Sequence, residues 1–353
     1  MIVERARLRD FRSYERLDLE FRPGLVLATG PNGAGKTNLV EAVHAATQGF
    51  SFRTRSDEQL VRLGSPAAAV VVEGVRSSVP FLSELALARD QPKRLRLDGS
   101  PAPPADELRA RLPVLVFTPD RLGVVKGGPA VRRAYLDRSL ARMLPARAGV
   151  PVAYATALGQ RNAALRRTAA GLSSRDALEP WTEAIVASGR ALTEARLAAL
   201  ALLAGPFAER ADELGLADAL VEYPTEPFTA DGLRARLERD LERGWTGLGP
   251  HLDEPRILAG ARDLRSFGSQ GEQRLAVLAL VLAEADVLTS RGGPAPLLLL
   301  DDALSELDAD RRRILSDRLG SVGQAFVTAT GAEALPLAPA QLLRVSPGAV
   351  AEG

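Results

Sequence analysis

Gly30-Pro31-Asn32-Gly33-Ala34-Gly35-Lys36-Thr37 follows the apolar run Leu25-Val26-Leu27-Ala28-Thr29 and opens a helix-forming stretch at residues 36–48. The spacing GxxxxGK[ST], set between a strand and a helix, is that of a phosphate-binding loop. Its glycines let the backbone wrap closely and aim N–H groups at phosphate oxygens. The helix end adds the partial positive charge of its unpaired amides. In this reading Lys36 reaches the β- and γ-phosphates and Thr37 ligates Mg²⁺, while Asn38 continues the contact surface into the helix. The structural alternative is a glycine-rich turn.

A second stretch turns that motif into a site. Leu297-Leu298-Leu299-Leu300-Asp301-Asp302 reads as a buried strand ending in two carboxylates. Asp301 is placed as the Walker B aspartate that holds magnesium, and Asp302 as the general base for an attacking water. Alone, the pair would pass as a loop cap. Ser305-Glu306-Leu307-Asp308 follows it, and Gly268-Ser269-Gln270-Gly271-Glu272-Gln273-Arg274 precedes it at the head of a long apolar helix. Ser269 with Glu272 makes a capping box, and the same helix end suits an anion.

Composition bounds the rest. The 353 residues are 46% hydrophobic, enough for a two-lobed body with a buried core. Net charge is +1, from 45 basic and 44 acidic residues, so any nucleic acid must meet a segregated face and not a global field. The absence of Cys excludes disulfides, thiolate zinc sites and a Cys nucleophile. Aromatics at 5% argue against base-stacking platforms for single strands. The only lysines are Lys36, Lys93 and Lys126, against a background of Arg. The N-terminus is charged and lacks the apolar core of a signal peptide, and the longest apolar run, 275–282, is too short to span a bilayer. A soluble, cytoplasmic protein without a membrane partner is expected.

Texture along the chain divides it. Residues 3–8, 17–21, 25–29, 69–75, 82–88 and 95–97 alternate as strands, interrupted by the helix at 36–48. A Pro-rich break follows Gly99, and 113–118 is a further buried strand. From 129 to 243 Ala, Leu, Arg and Glu recur at helical spacing, enough for a short helical hairpin but not a long coiled coil. The end returns to α/β texture: a helix from 272, strand 297–302, a helix from 308, a strand near 325–330 and a last strand near 342–346. The predicted fold is α/β, with a mixed-sheet ATP-binding lobe at 1–120 and 286–353 and a mainly helical lobe at 121–285.

The ordered set of P-loop, signature-like helix start, aspartate strand and Ser305–Asp308 resembles ABC/SMC-type ATPase heads. In that superfamily the signature end caps the γ-phosphate held by a second subunit, which implies an ATP-sandwich homodimer. The resemblance gives Ser269, Gln270, Gly271, Glu272, Ser305 and Asp308 nucleotide-contacting roles across that dimer. Transporter subunits fit poorly: the helical insert is large, no Gln-centred loop is evident, and Thr328-Ala329-Thr330 stands where they usually carry a switch His. His44 and His251 are read as structural. Asp10-Phe11-Arg12-Ser13-Tyr14 resembles the opening turn of SMC heads, where the Arg12 position lies near the phosphates.

Two longer stretches, Pro119 to Asp137 and Leu299 to Arg311, are similar to the RecF family, a resemblance spanning essentially the whole chain. It implies a bacterial recombination mediator. Such a protein binds duplex DNA and its gap junctions when ATP-bound, dimerises, and acts with RecR and RecO to place RecA. Asp302 departs from the Glu common in ABC ATPases; one methylene shorter, it implies slow hydrolysis, a timer more than a motor. The Arg-rich stretches (53/55, 94/96, 132/133, 161/166/167, 311–313) are read as solvated faces, with first-lobe sheet residues and the helical rim as better DNA candidates. The alternatives are a transporter- or translation-type ATPase without DNA business, and an ATP-gated protein scaffold.

Overall fold

A computed structural model describes residues 1–321 and 323–353, apart from the side chains of Asp120 and Ser321. The chain opens with a hairpin, β1 (Ile2–Phe11) and β2 (Tyr14–Glu20), followed by β3 (Gly24–Thr29) and α1 (Lys36–Gln48). Four more strands follow: β4 (Ala67–Arg76), β5 (Val79–Ala88), β6 (Gln91–Leu97) and β7 (Ser100–Pro101). Helix α2 (Ala105–Arg111) leads into β8 (Val114–Phe117). The helical region then holds α3 (Gly123–Lys126), α4 (Pro129–Met143), α5 (Val150–Ala169) and α6 (Glu179–Glu213). Beside it lie β9 (Ala219–Glu222), α7 (Ala230–Ala235), α8 (Leu237–Arg243), β10 (Arg256–Ala259), β11 (Arg262–Asp263) and α9 (Leu264–Phe267). The chain ends on α10 (Gln270–Ser290), β12 (Leu297–Leu300), α11 (Ala309–Ser321), β13 (Gln324–Ala329), β14 (Gln341–Ser346) and β15 (Ala349–Glu352).

Two six-stranded sheets sandwich α1. One is antiparallel, in the order β2-β1-β4-β5-β6-β7; its apolar residues alternate inward because only one face is covered. The other runs β15-β14-β3-β13-β12-β8 and is parallel except for β15. Its central strands are buried on both faces, so Leu297–Leu300 is apolar without alternation. One core joins α1 to the inner faces of both sheets, and a second joins the opposite face of the parallel sheet to α4, α6 and α10. The carboxyl ends of β3, β12 and β13 lie side by side, which is where parallel sheets form ligand crevices.

The expected strands coincide with observed ones to within one or two residues at their ends: Phe21 lies just past β2, Pro113 and Thr118 flank β8, Asp301 and Asp302 follow β12, and Thr330 follows β13. The helix expected from 272 begins at Gln270, and that expected from 308 begins at Ala309. The helical stretch expected to run to 243 is interrupted by β9, whose partner β10 lies almost forty residues on, with Leu220 opposite Leu258. Four-residue strands paired at that distance leave too little periodicity to read. The Pro-rich break contains α2 and β7, since Pro104 stands just before α2 and not inside it. α5 and α6 form the expected hairpin, but α6 has 35 residues and carries Pro206 within it. By length and composition α6 could cross a membrane; here it packs along α5 and α10 as a core helix.

Candidate active site

The P-loop leaves β3 at Gly30, where a Cβ would sit 2.2 Å from the Val345 carbonyl oxygen. At its other end Gly35 has φ +112° and caps α1 without a side chain. Only glycine fits both places. No acidic residue occupies the first turn of α1, so its amides face the cleft unneutralised. The Lys36 ammonium donates to the carbonyl oxygens of Gly30 (2.7 Å) and Pro31 (2.9 Å), folded over the loop. Burial pushes its pKa down, and the nearby Asp301 and Asp302 oppose that shift.

β12, wedged between β13 and β8, brings Asp301 to the same place. Thr37 Oγ1 donates to Asp301 at 2.9 Å, and Thr328 Oγ1 donates to it at 2.7 Å. Burial raises the Asp301 pKa, and these two donors partly restrain it. The Thr328 hydroxyl oxygen also accepts the Asp302 N–H, at 3.0 Å. Asp302 holds φ +51°, a left-handed conformation uncommon outside glycine. Its carbonyl accepts from the Arg274 guanidinium and, at 3.3 Å, from Ser305 Oγ. Arg274 is buried, lies 5.4 Å over the Phe117 ring and pairs with Glu306 at 3.0 Å. The main chain of Asp302 is thus held on both sides, by a β13 hydroxyl and by Arg274 of α10, while Asp302 lines a cleft of about 410 Å³.

Asn32, Gly33, Gly35, Lys36, Thr37 and Asn38 line this cleft together with Asp301 and Asp302. Arg53, Pro119, Thr328 and Thr330 complete it, none of them singled out as site residues from the sequence. Arg53, read there as one of several solvated arginines, donates to Asn38 Oδ1 at 3.0 Å. Thr328 had only a position relative to transporter heads to mark it.

Arg12, expected near the phosphates, is placed as a partner of α1. It is not among the cleft-lining residues; both arms of its guanidinium hold Glu41 of α1 at 2.8 Å. Glu41 is fully buried, and an ionised carboxylate there requires a counter-charge, which Arg12 and Arg53 supply. Two other arginines read as solvated are also buried in ion pairs: Arg161 with Asp240 (3.0 Å) and Arg132 with Glu254 (2.8 Å). Of the histidines, His44 is buried, with Phe50 O at 2.9 Å from Nδ1, and His251 Nδ1 lies 2.6 Å from Tyr154 Oη.

The signature-like residues lie elsewhere. Ser269 Oγ accepts the Glu272 N–H and the Glu272 carboxylate accepts the Ser269 N–H, a complete capping box. Arg262 bonds the same carboxylate at 2.8 Å and, with the cap, lowers its pKa to about 2. Ser269, Gln270 and Gly271 are exposed and do not line the cleft of their own chain. Ser305 is tied to Asp302, and Asp308 caps α11 by accepting the Arg311 N–H at 2.9 Å; neither lines the cleft.

Known proteins resemble the chain in sequence and fold. Residues 2–349 match the family described as RecF/RecN/SMC N terminal domain. The chain is 37% identical over 340 residues to the DNA replication and repair protein RecF of Moorella thermoacetica, covering 95% of this chain and 91% of that protein. It is 33% identical to the RecF of Lachnoclostridium phytofermentans, covering 94% of each. Among solved structures, the recombination mediator protein RecF with ATP, described within the RecFOR pathway, superposes with a TM-score of 0.88 at 26% identity, covering 99% of this chain and 97% of that one. The Smc head domain of Pyrococcus furiosus, at 0.60 and 18% identity, shares the fold. The chain therefore belongs to the RecF family, within the RecF/RecN/SMC group of ABC-type ATP-binding heads.

Proposed function

We propose that this chain is an ATP-dependent DNA-binding protein of recombinational repair and replication-fork maintenance. It dimerises on ATP, binds duplex DNA at gaps, and helps load RecA together with RecO and RecR, in the cytoplasm. The observation that carries the reading is the separation of two half-sites. One cleft offers P-loop amides, Lys36 and a carboxylate pair, while the exposed anion-binding helix end at Ser269–Gly271 lies outside it. A second copy of the chain supplies what the first cleft lacks. The relatives' names supply the biological setting.

In this reading residues 1–120 with 286–353 form the ATP-binding lobe and 121–285 the helical lobe, with α10 running unbroken across the boundary at 285. Bound ATP and Mg²⁺ supply the γ-phosphoryl group and the charge that makes it open to attack by water. The residues fit them: Thr37 and Asp301 present oxygens, and a P-loop magnesium needs only one or two protein ligands beside phosphates and water. Lys36 exchanges its two loop carbonyls for phosphate oxygens. Asp302 orients the attacking water and takes its proton, from a carboxylate whose backbone is held before substrate arrives. With a short Asp in that role, turnover is slow and Mg²⁺-dependent.

The test is retention of duplex DNA by the full chain with and without ATP, with Lys36→Ala alongside. ATP-dependent retention by the wild type, lost in Lys36→Ala, is expected. Turnover without DNA retention would instead favour a transporter- or translation-type ATPase, and ATP-dependent capture of protein partners alone would favour a scaffold.

A further inference from the structure

We propose that a groove of the helical region binds an extended peptide of a partner protein by one carboxylate, with Arg236 as the contact for that acid. The groove is separate from the nucleotide cleft, and the inference does not rest on the function proposed above.

The groove holds about 340 Å³ between two walls. One is the segment 224–228, which follows β9; the other is the loop 247–254, which leads to β10. Arg236, at the junction of α7 and α8, lines it as well. Its half-buried guanidinium has no hydrogen bond and no ion pair among the described residues, and its Nε is sealed from solvent. Asp240 is its neighbour: a Cβ at Gly247 would lie 3.1 Å from Asp240 Oδ1 and 3.2 Å from Arg236 Nη2. That acid is already taken, by Arg161 at 3.0 Å and by the Gly247 N–H at 3.1 Å. A cation withdrawn from water without a counter-charge is costly, and a carboxylate from outside supplies both the charge and paired acceptors.

The walls suit main-chain pairing. Pro224 and Pro227 bias their segment toward extended backbone, and it forms no helix or strand of its own. The N–H groups of Thr225, Glu226 and Phe228 meet no acceptor among the described residues, nor do those of Leu248 and Gly249 on the other wall. Both walls are nevertheless fixed. The Phe228 ring packs edge-on to Tyr154 at 6.4 Å, and its carbonyl accepts from Arg190 at 3.4 Å. In the loop, His251 Nδ1 lies 2.6 Å from Tyr154 Oη, and the Pro250 carbonyl accepts from Arg196 at 2.7 Å. Preformed backbone with free amides takes an added extended chain at little cost in ordering. Leu252, 48% exposed, offers that chain an apolar contact in the same groove.

Charge decides which kind of anion enters. Asp253 and Glu254 also line the groove, the first bonded by Tyr223 Oη, the second by Arg132 at 2.8 Å and Arg265 at 3.0 Å. Glu226 is exposed and has no partner among the described residues. A phosphodiester chain would face these three carboxylates along with Arg236, and like charges repel it. A single acid set among apolar residues brings one charge to the one cation. The occupant is therefore a peptide with a lone Asp or Glu, and not a nucleic acid.

Selection of displayed random heptapeptides on the full chain tests this, with Arg236→Gln as the counter-selecting protein. Peptides with one acidic residue flanked by apolar ones should be enriched, and a synthetic member should bind the wild type in fluorescence anisotropy. Arg236→Gln should weaken that binding roughly ten- to hundredfold, the loss of one charge-assisted pair. Its ATP binding and melting temperature should stay at wild-type values. Thr225→Pro, which removes a wall amide and breaks no internal bond, should weaken the same peptide, and Glu226→Gln should tighten it. Enrichment of no acidic peptide, or equal binding to Arg236→Gln, overturns the proposal. Displacement of the peptide by a short DNA duplex would assign the groove to nucleic acid and overturn it too.

Discussion

At the scale of single residues, Thr328 is the least conspicuous part of the site and the most exposed to test. One hydroxyl donates to Asp301 and accepts from the Asp302 amide, so it sets the two carboxylates relative to each other. Thr328→Val keeps the shape, removes the hydroxyl and leaves the part-buried Asp302 N–H and the Asp301 carboxylate each short of a partner, at a cost of about 1–3 kcal/mol. Spent on the geometry around Asp302, that cost predicts a fall in kcat of roughly tenfold or more. KM for ATP should stay near its wild-type value, and Thr328→Ser should restore the rate. Steady-state ATPase measurements on the three proteins decide it; an undiminished kcat in Thr328→Val would remove Thr328 from the positioning of Asp302, the proposed base. Lys36 and Thr37 were legible from motif spacing alone, because a phosphate-binding loop is local in sequence. Thr328 was not, since its role depends on strand β13 lying beside β12.

Two elements separate structural from functional roles. The start of α10 is a complete capping box, so Ser269 has a structural reason to be there. Loss of such a cap costs about 1 kcal/mol. If that were its whole purpose, Ser269→Arg would lower the melting temperature slightly and leave assembly intact. The trans-capping role predicts instead near-normal ATP binding by the monomer, with no dimer, hydrolysis or DNA retention. Steric exclusion by the long side chain outweighs any attraction of its charge for phosphate, because helix amides must approach closely. Nucleotide binding and sedimentation on the same variant distinguish the two outcomes. Helix α1 carries a pH-sensitive element of its own. Burial lowers the His44 pKa from 6.5 to about 3. Between those values the unfolded chain binds a proton that the folded chain refuses, so stability falls as pH drops from about 6.5 toward 3. His44→Asn, which retains a donor for the Phe50 carbonyl, should flatten that limb; denaturant midpoints across the range measure it.

For the whole molecule, the prediction concerns assembly. Asp302→Asn keeps a side chain of the same size and leaves Asp301, Thr37 and the P-loop untouched. If Asp302 is the proposed proton acceptor, ATP and magnesium should still bind without it, so the ATP-bound dimer should accumulate and outlast that of the wild type. Sedimentation in ATP over time reads this directly, and a variant that hydrolyses ATP at the wild-type rate would move the catalytic role to another group.

The amino-acid sequence by itself determined the fold class, the order of the nucleotide motifs and the family resemblance. Each of these is carried by local patterns: an apolar strand before Gly30, four leucines before Asp301, a cap at Ser269 before an apolar helix. Tertiary structure alone decided what joins them. The bracket of Thr328 and Arg274 around Asp302 spans β13, β12 and α10, and no spacing encodes it. Arg12, expected near the phosphates, holds Glu41, because a carboxylate buried between two sheets must be neutralised from nearby. Arg161 and Arg132 look solvated in sequence, since an arginine's burial depends on where its partner acid lands, and Asp240 and Glu254 lie far along the chain. Arg236 lines its groove without a partner because Asp240, its neighbour, is held by Arg161 of α5. Local physics names the parts of the site; long-range pairing sets which charges meet and which are left facing outward.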